Sequence, residues 1–442
     1  MRLLKSVAAG LLYPLAEQLE RRDVRSKLSE LRRHYGLPTA ERQRIARQRL
    51  VDMLHFAGAS VPYYRDLFAA HRFDPDAVLA APERLAELPL LTKDIIAEQG
   101  ERLLSRPLAG TRHHACPTGG STGRKAIIYY DQAAADYSSA VTTYVRERIG
   151  ANRQQPALHF AARFADAPPQ RLFDRESFKT LAMNRSNIFF DRLDAEALDE
   201  IWTQLRRRRP YLVHAHPSTI FALACHVHDH GGAQRLGRPL FDVFESSGEL
   251  LEMRHRRRIA AALGCRVVDR YGLAEFGVVA YQFDRAEGLD LLDSEAWAET
   301  VPGDAAEPAE RLVLTGLRNR LMPLIRYETG DLAQLTVEGG AIVIKALVGR
   351  IHDIVPLNGR LYPTHHLQDV LDHRVGGVRE FQFDLSTIPP TLRLVAEDRA
   401  DEAAIAARID SHWPGALQLA FVAPEQMVRV GGRSKFRHVV NA

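Results

Sequence analysis

The sequence predicts an α/β fold followed by a smaller α+β domain, on three observations. The chain has 442 residues, which is too many for one ordinary hydrophobic core. Between residues 126 and about 345, short apolar strands alternate with helical stretches. Beyond about residue 349 the order of elements changes, with strands on both sides of a single helix. We therefore expect two domains, over residues 1–348 and 349–442.

The first hundred residues are predicted to be mainly helical. Apolar residues such as Leu50 and Leu54 recur at helical spacing between charged residues. The segment 61–64 interrupts this pattern, and so does the segment 88–93. Thr92 is placed to cap a helix that begins near Asp94, because a threonine hydroxyl can accept a bond from an amide of the first turn.

The middle of the chain alternates between strands and helices. Strands are predicted at 126–130, 157–161, 211–215, 241–245, 266–269, 311–315 and 341–348. The intervening helices include 194–206 and 251–263. Such alternation favours largely parallel strand pairing.

The carboxyl-terminal part reads as a separate α+β unit. Its predicted strands are 380–384, 392–396 and 417–422, and its predicted helix is 402–409. The change of rhythm places the boundary, and with it a hinge, near 349–355.

Composition excludes several classes of protein. Hydrophobic residues make up 46% and charged residues 26% of the chain, which is globular composition, and the net charge of +4 gives no indication of nucleic-acid binding. Three cysteines without a CxxC pair predict neither a zinc site nor a disulfide framework, so we expect a reducing cytoplasm. The apolar start of the chain is too short to span a membrane, and we expect a helix packed on the body or in loose membrane contact.

The segment TGGSTGRK at 118–125 is the strongest local signal of a binding site. Its glycines let a ligand approach the backbone closely, and its hydroxyls and cations add donors for phosphate oxygens. The segment lacks the spacing of the common P-loop, and a strand rather than a helix follows it. The pattern predicts a loop that holds the phosphates of a nucleotide, with an ordinary hairpin turn as the alternative.

Two further segments carry carboxylates suited to a nucleotide. Glu275 ends the run YGLAE after a predicted strand and suits Mg²⁺ beside phosphates, while Tyr271 offers a ring face to adenine. Asp331 follows a Thr-Gly turn and can accept two bonds from ribose hydroxyls. The alternative for Glu275 is an ordinary surface glutamate. The alternative for Asp331 is a turn that is closed by its own side chain.

Two segments near the domain boundary and the carboxyl terminus complete the pattern. GRIHD at 349–353 falls where a hinge is expected. The glycine-rich tail at 431–437 presents Lys435, which suits a cation that reaches into another domain's site. A disordered basic terminus is the alternative for the tail.

In their order and spacing these five segments resemble the adenylate-forming superfamily of acyl-CoA ligases, adenylation domains and luciferases. The closest resemblance is to its phenylacetate–CoA ligase branch, including capsular-polysaccharide-associated members. The matching motifs are TGGSTGRK at 118–125, YGLAE at 271–275, RYETGD at 326–331 and GRIHD at 349–353, with VPYYR and LPLLTK near the amino terminus. The resemblance covers nearly the whole chain.

This resemblance implies an enzyme that activates a carboxylic acid with ATP, releases pyrophosphate and passes the acyl group from an acyl-adenylate to a thiol, most often coenzyme A. It implies that Glu275 holds Mg²⁺ and that Lys435 bridges the carboxylate and the α-phosphate. The implied nucleotide-binding residues are Thr118, Gly119, Gly120, Ser121, Thr122, Gly123, Ser247, Gly248, Glu249, Asp269, Tyr271, Gly272, Asp331 and Arg350.

The resemblance also implies a nucleotide- and acyl-binding domain with mixed sheets and flanking helices over 1–348, and a mobile lid over 349–442. The implied acyl pocket contains Tyr129, Tyr130, His214 and His216, although for each histidine a structural role, hydrogen-bonded within the core, is the favoured interpretation. The hinge position carries His352, where the family usually has Asp or Lys. Gly119, the pair Arg124-Lys125 and the tail Arg433-Ser434-Lys435 also depart from the family pattern.

Two alternatives to a coenzyme A ligase remain at this stage. One is an adenylating enzyme whose acceptor is an acyl carrier protein or a surface glycan. The other is a degenerate member of the family that binds a nucleotide as a scaffold. The second rests on the altered phosphate loop and hinge, and the presence of Glu275, Asp331, Arg350 and Lys435 argues against it.

Overall fold

The computed structural model describes residues 12–117, 126–162, 180–190, 193, 195–231, 238–302, 310–350, 354–363, 367, 370–397, 399–430 and 435–441. For Arg350 and Lys435 it describes the backbone alone. The predicted phosphate loop at 118–125 and His352 lie outside the described residues. No helix in the described part of the chain has the length and apolar character needed to cross a membrane.

The amino-terminal part is helical, as predicted. Its helices are α1 (Val24–Tyr35), α2 (Thr39–Ser60), α3 (Pro62–His71), α4 (Ala77–Ala80) and α5 (Lys93–Gln99). Val61 is extended and ends α2, and Pro62 starts α3, where its missing N–H is not needed. The Thr92 hydroxyl accepts a bond of 3.3 Å from the amide of Ile95, so the predicted cap is confirmed.

A hairpin and a long helix follow. Strand β1 (His113–Pro117) pairs antiparallel with β2 (Ile127–Asp131), and Pro117 is directly opposite Ile127. This pairing holds Pro117 and Ile127 one strand spacing apart. The carboxylate of Asp131 accepts a bond of 2.9 Å from the amide of Ala134 and so caps α6 (Gln132–Arg148).

A five-stranded parallel sheet forms the next layer, in the order β4-β3-β5-β6-β7. Its strands are β3 (Ala157–Ala162), β4 (Arg185–Phe190), β5 (Leu212–Ala215), β6 (Val243–Ser246) and β7 (Arg266–Val268). The helices between them are α7 (Ala195–Arg208), α8 (Pro217–Asp229) and α9 (Met253–Leu263). Apolar side chains of these helices pack on the sheet in one buried cluster. Parallel pairing is therefore confirmed for this part.

A seven-stranded antiparallel sheet follows, in the order β11-β12-β13-β14-β10-β9-β8. Its strands are β8 (Arg270–Leu273), β9 (Gly277–Tyr281), β10 (Leu289–Leu291), β11 (Ala296–Val301), β12 (Arg311–Gly316), β13 (Tyr327–Glu338) and β14 (Ala341–Arg350). The prediction that the strand at 311–315 joins a largely parallel sheet is wrong. Antiparallel neighbours need only a short connection, whereas a parallel crossover needs a dozen or more residues and usually a helix.

Hydrogen bonds join the amino-terminal helices to the segment that directly precedes β13. The hydroxyl of Tyr64 donates to the carbonyl of Pro323 and accepts from the amide of Ile325, both at 3.0 Å. Leu91 forms a parallel bridge with Tyr327. Arg326, at a positive φ of 53°, donates to the carbonyl of Leu88. The start of the RYETGD segment therefore rests on the first hundred residues.

The carboxyl-terminal part has its own sheet and core. Its elements are β15 (Ile354–Leu357), β16 (Arg360–Pro363), β17 (Val378–Asp384), β18 (Thr391–Ala396), α10 (Glu402–His412), β19 (Gln418–Phe421), β20 (Arg429–Val430), β21 (Lys435–Phe436) and β22 (Val439–Val440). The main sheet has the order β19-β18-β17-β22. Phe381, Leu394 and Ile405 belong to a buried cluster drawn wholly from this part. The exact domain boundary stays a prediction.

Candidate active site

Tyr271 of β8 and Asp331 of β13 lie together. The Tyr271 hydroxyl donates a bond of 2.7 Å to Oδ2 of Asp331, and both residues are buried. The amide of Asp331 donates to the Thr329 hydroxyl at 3.1 Å. In the β13–β14 ladder, Asp331 is directly opposite Arg350. The two residues predicted to hold the ribose are therefore paired neighbours, and the Tyr271 hydroxyl orients one of them.

Glu275 lies just beyond β8 and is only 6% exposed. Its Oε1 accepts a bond of 2.6 Å from the Tyr327 hydroxyl and lies 3.8 Å from Nζ of Lys93. One carboxylate together with phosphate oxygens is a donor set that Mg²⁺ takes, so Glu275 fits the predicted metal.

Lys93 and Tyr327 were not among the predicted site residues. Both belong to motifs visible in the sequence, LPLLTK and RYETGD. Sequence alone gives no sign that these motifs meet at Glu275, because the contacts join distant parts of the chain. Lys93 brings a positive charge next to the carboxylate, and Tyr327 fixes the carboxylate's orientation.

A small recess opens beside Glu275. Tyr130 and Ser138 line it from the side of β2 and α6, and Arg318 lines it from the loop after β12. The Tyr130 hydroxyl donates to the carbonyl of Ala274 at 2.5 Å, and burial raises the pKa of Tyr130. Tyr129 points elsewhere, because neighbouring strand residues alternate in direction, and its ring meets His113 edge to face at 5.6 Å.

The turn after β6 is held from two sides. Nδ1 of His216 donates to the carbonyl of Ser247 at 2.8 Å. The carboxylate of Glu249 accepts a bond of 3.1 Å from the amide of Ser218, which satisfies one free donor of the first turn of α8. Gly248 has a φ of +86°, and a Cβ there would lie 2.5 Å from Cε1 of His216. Only glycine fits this position without strain.

Asp269 and Gly272 flank Tyr271. The amide of Arg270 donates to the Asp269 carboxylate at 2.9 Å, and burial raises the pKa of Asp269 against the opposing effect of Arg256. A Cβ on Gly272 would lie 2.6 Å from the carbonyl oxygen of Gly277, so β8 and β9 approach closely here.

His214 lies within β5, two residues before His216. Its Nδ1 lies 2.8 Å from Oε2 of Glu245, and burial lowers the pKa of His214 to about 4. The structure therefore separates the four residues predicted for the acyl pocket. Tyr130 is beside Glu275, His216 is beside the turn after β6, His214 is deeper in the parallel sheet, and Tyr129 packs against His113.

Comparison with known proteins shows which sequences the chain resembles. No protein-family model matches the chain. Phenylacetate–coenzyme A ligase of Pseudomonas putida is 25% identical over 344 residues, which are 73% of this chain and 74% of that enzyme. The same-named enzyme of Thermus thermophilus is 27% identical over 169 residues, 32% of this chain and only 38% of its own length. Protein CapK of Staphylococcus aureus is 20% identical over 70% of this chain and 68% of that protein.

The fold is also shared with solved structures. A 2-hydroxyisobutyryl-CoA ligase in a postadenylation state, in complex with 2-HIB-AMP, has a TM-score of 0.70 and 18% identity, covering 92% of this chain and 90% of that one. The predicted fold class is therefore confirmed, and the chain is similar in sequence and in fold to proteins that are named as coenzyme A ligases. Two of the three sequence relatives are phenylacetate–coenzyme A ligases, as the motifs indicated, and the third is protein CapK.

Proposed function

We propose that the chain activates a carboxylic acid with ATP, releasing pyrophosphate, and transfers the acyl group from the adenylate to coenzyme A. The observation that carries this proposal is a double connection between two motifs. Tyr271 and Glu275 of YGLAE each bond to a residue of RYETGD, namely Asp331 and Tyr327. A carboxylate for ribose and a carboxylate for the metal are thereby fixed on one scaffold.

The proposed chemistry begins with an electrostatic problem. Attack of a carboxylate on the α-phosphate brings two anions together, so the site has to supply cations and hydrogen-bond donors. In our proposal Asp331 and Arg350 hold the ribose, Tyr271 lies against adenine, and Lys435 bridges the carboxylate and the α-phosphate. Two further groups lie beside the nucleotide in this proposal: the turn at Ser247, Gly248 and Glu249, and the residues Asp269 and Gly272.

The remaining roles concern the phosphates, the acid and the lid. In our proposal the residues 118–123 hold the phosphates, and Glu275 holds Mg²⁺, which neutralises charge on the phosphates when bound. Tyr130 and His216 border the acyl group, and the part from 349 onward closes over the site by bending near His352. Closure would exclude water from a hydrolysable mixed anhydride.

The comparisons support the cofactors of this proposal. Related folds have been solved with 2-HIB-AMP and coenzyme A in an open and in a thioesterification state. Two of the three sequence relatives are named for phenylacetate and coenzyme A, which favours an aryl or related acid and coenzyme A as acceptor.

A hydroxylamine-trapping screen tests the proposal. Purified protein with Mg·ATP is given a panel of aryl and aliphatic acids, with and without coenzyme A, and pyrophosphate and thioester are measured. We expect acid-dependent pyrophosphate release, lost in Glu275→Gln, and thioester only with coenzyme A. Pyrophosphate release without thioester formation would indicate that the acceptor is a carrier protein or a glycan instead of coenzyme A. ATP binding without any release across the panel would contradict an adenylating enzyme.

A further inference from the structure

Three polar residues form one row across the parallel sheet. His159 of β3 is directly opposite His214 of β5, and His214 is directly opposite Glu245 of β6. Side chains in register on neighbouring strands share one face of a sheet. Central strands of a parallel sheet are normally apolar, because helices cover both faces. A polar row at this place therefore calls for a specific explanation.

Glu245 is the centre of this row and has no exposed surface. Its carboxylate accepts a bond of 2.6 Å from Arg146 of α6 and one of 2.8 Å from the Tyr281 hydroxyl. Nδ1 of His214 lies 2.8 Å from Oε2 of the same carboxylate. These neighbours keep the carboxylate ionised. Burial alone would raise the pKa of Glu245, but Arg146 and His214 hold it well below the ordinary value.

A second guanidinium lies beside the same carboxylate. Nη1 of Arg270 is 3.9 Å from Glu245 and 3.4 Å from Nε2 of His214. Nε of Arg270 is buried and has no hydrogen-bond partner among the described residues. Arg270 thus retains donor capacity that nothing in the described part of the chain uses.

The charges of this group do not balance. Nε2 of His159 faces a guanidinium N–H of Arg146 at 3.4 Å, as Nε2 of His214 faces Arg270, so both rings act as acceptors and are neutral. Burial lowers the pKa of each histidine, which is consistent with neutral rings. Two guanidiniums therefore face one carboxylate, although buried charges are normally paired. We call Arg146, His159, His214, Glu245 and Arg270 the charged cluster.

The charged cluster lies next to the candidate active site along the strands of the parallel sheet. Ligands of α/β sheets bind beyond the carboxyl ends of the strands. His216 and Ser247 are each two residues beyond the row, a rise of about 7 Å along a strand. Arg270 directly precedes Tyr271. The side chains of His214 and Arg270 keep 21% and 16% of their surface exposed, so the cluster is not sealed from solvent.

We propose that the charged cluster binds a second anionic group of the acid, about 7 Å inward from the turn at Ser247, so that the substrate is a dicarboxylic acid or a similarly charged analogue. This inference rests on the proposed function, because it takes the carboxylate that is activated to lie beside that turn. The second anion would balance the positive charge of the extra guanidinium. It would also accept a hydrogen bond from the unused Nε–H of Arg270.

Matched pairs of acids test the inference. Acid-dependent pyrophosphate release is measured with phenylacetic acid against 4-carboxyphenylacetic acid, and with hexanoic against adipic acid. We expect kcat/KM to favour a diacid by at least about tenfold, a free-energy difference of about 1.4 kcal/mol. In Arg270→Gln the ratio of kcat/KM for the diacid to kcat/KM for the matched monoacid should fall to about one. Equal or better use of the monoacids by the unaltered protein would overturn the inference, as would an unchanged preference in Arg270→Gln.

Controls separate this inference from folding defects and from failure of the proposed function. Arg285→Gln removes a guanidinium that pairs with Asp290 and Glu338 in the other sheet, and should keep the preference. His159→Leu serves if Arg270→Gln does not fold, and should also reduce the preference. If no acid is adenylated, thermal shift decides: a diacid should raise the Tm of the unaltered protein and not that of Arg270→Gln. A lack of any shift with either diacid would overturn the inference.

Discussion

Nε2 of His438 lies 2.5 Å from Oε1 of Glu252 and joins the carboxyl-terminal part of the chain to the start of α9. Nδ1 of the same ring lies 3.1 Å from the carbonyl of Phe381. Both ring nitrogens face acceptors, so both donate and the ring is positively charged. Close by, Arg254 donates to the carbonyl of Val378 at 2.8 Å. A buried ion pair and a hydrogen bond therefore hold the two parts together in this conformation.

The stability of the protein should depend on pH through His438. Burial lowers the pKa of His438, but the Glu252 carboxylate outweighs this and raises it above its ordinary value of 6.5. The stabilising contribution is therefore complete below about pH 6.5 and is lost as the pH rises through the higher pKa of the folded protein. His438→Gln should lower the free energy of unfolding by about 2–5 kcal/mol at pH 6 and by less than half of that at pH 9.

Urea unfolding at the two pH values measures this difference. His412→Gln, an exposed histidine of α10, is the matched control and should change little at either pH. His255 affects stability in the opposite direction, because burial lowers its pKa to about 3 and its protonation at low pH destabilises the folded protein. All the variants contain His255, so its effect is shared by the proteins that are compared. An effect of His438→Gln that is equal at both pH values would contradict a charged ring.

Tyr327→Phe should slow adenylation without unfolding the protein. The change removes the hydroxyl that holds the Glu275 carboxylate, and loss of such an orienting partner commonly costs about 10–100-fold in activity. Acid-dependent pyrophosphate release is the measurement. Tyr64→Phe is the control, because it also removes a buried hydroxyl, one that bonds to the backbone of Pro323 and Ile325. Equal slowing in both variants would mean that Tyr327 acts through stability alone.

Gly248→Ala should destabilise the turn after β6, chiefly by collision with His216. The new methyl group would meet the imidazole at 2.5 Å, at a φ of +86° that alanine rarely adopts. We expect a loss of about 1–3 kcal/mol, read from urea unfolding. Adding His216→Ala removes the collision and leaves the backbone strain, so the double variant should be more stable than the sum of the single effects predicts. Strict additivity would show that the two residues do not meet.

Lys435→Ala should abolish the first half-reaction and spare the second. The backbone of Lys435 pairs with Val430 in a short antiparallel hairpin, and its side chain is the cation we propose for the α-phosphate. Loss of one charge-stabilising contact typically costs about 10²–10³ in rate. Pyrophosphate release should fall accordingly, while thioester formation from a supplied acyl-adenylate continues. Lys345→Ala, an exposed lysine of β14, should change neither step, and equal loss of both steps in Lys435→Ala would contradict the role.

Local patterns predicted the elements of the parallel sheet well. The strand predicted at 241–245 is observed at Val243–Ser246, and the helix predicted at 194–206 at Ala195–Arg208. Apolar periodicity carries this information, because a buried strand and an amphipathic helix have different spacings. The motif YGLAE also led to Tyr271 and Glu275, which do lie beside Asp331 and Tyr327.

Contacts between distant segments could not be predicted in the same way. The antiparallel partner of β12 depends on which strands a short connection allows to meet, and not on the pattern within 311–315. The approach of Lys93 to Glu275 and of Arg146 to Glu245 depends on tertiary packing, since Arg146 and Glu245 are 99 residues apart. No local spacing rule reports such pairs.

The bonds of Tyr64 to Pro323 and Ile325 have a consequence for biosynthesis. They close loops of 259 and 261 residues, so the amino-terminal helices cannot complete their packing until the RYETGD segment has been made. At ribosomal rates of about 5–20 residues per second, that wait is roughly 15–50 s. During this time the apolar faces of α2 and α3 are not yet fully buried. They therefore present a binding surface for a chaperone on the nascent chain.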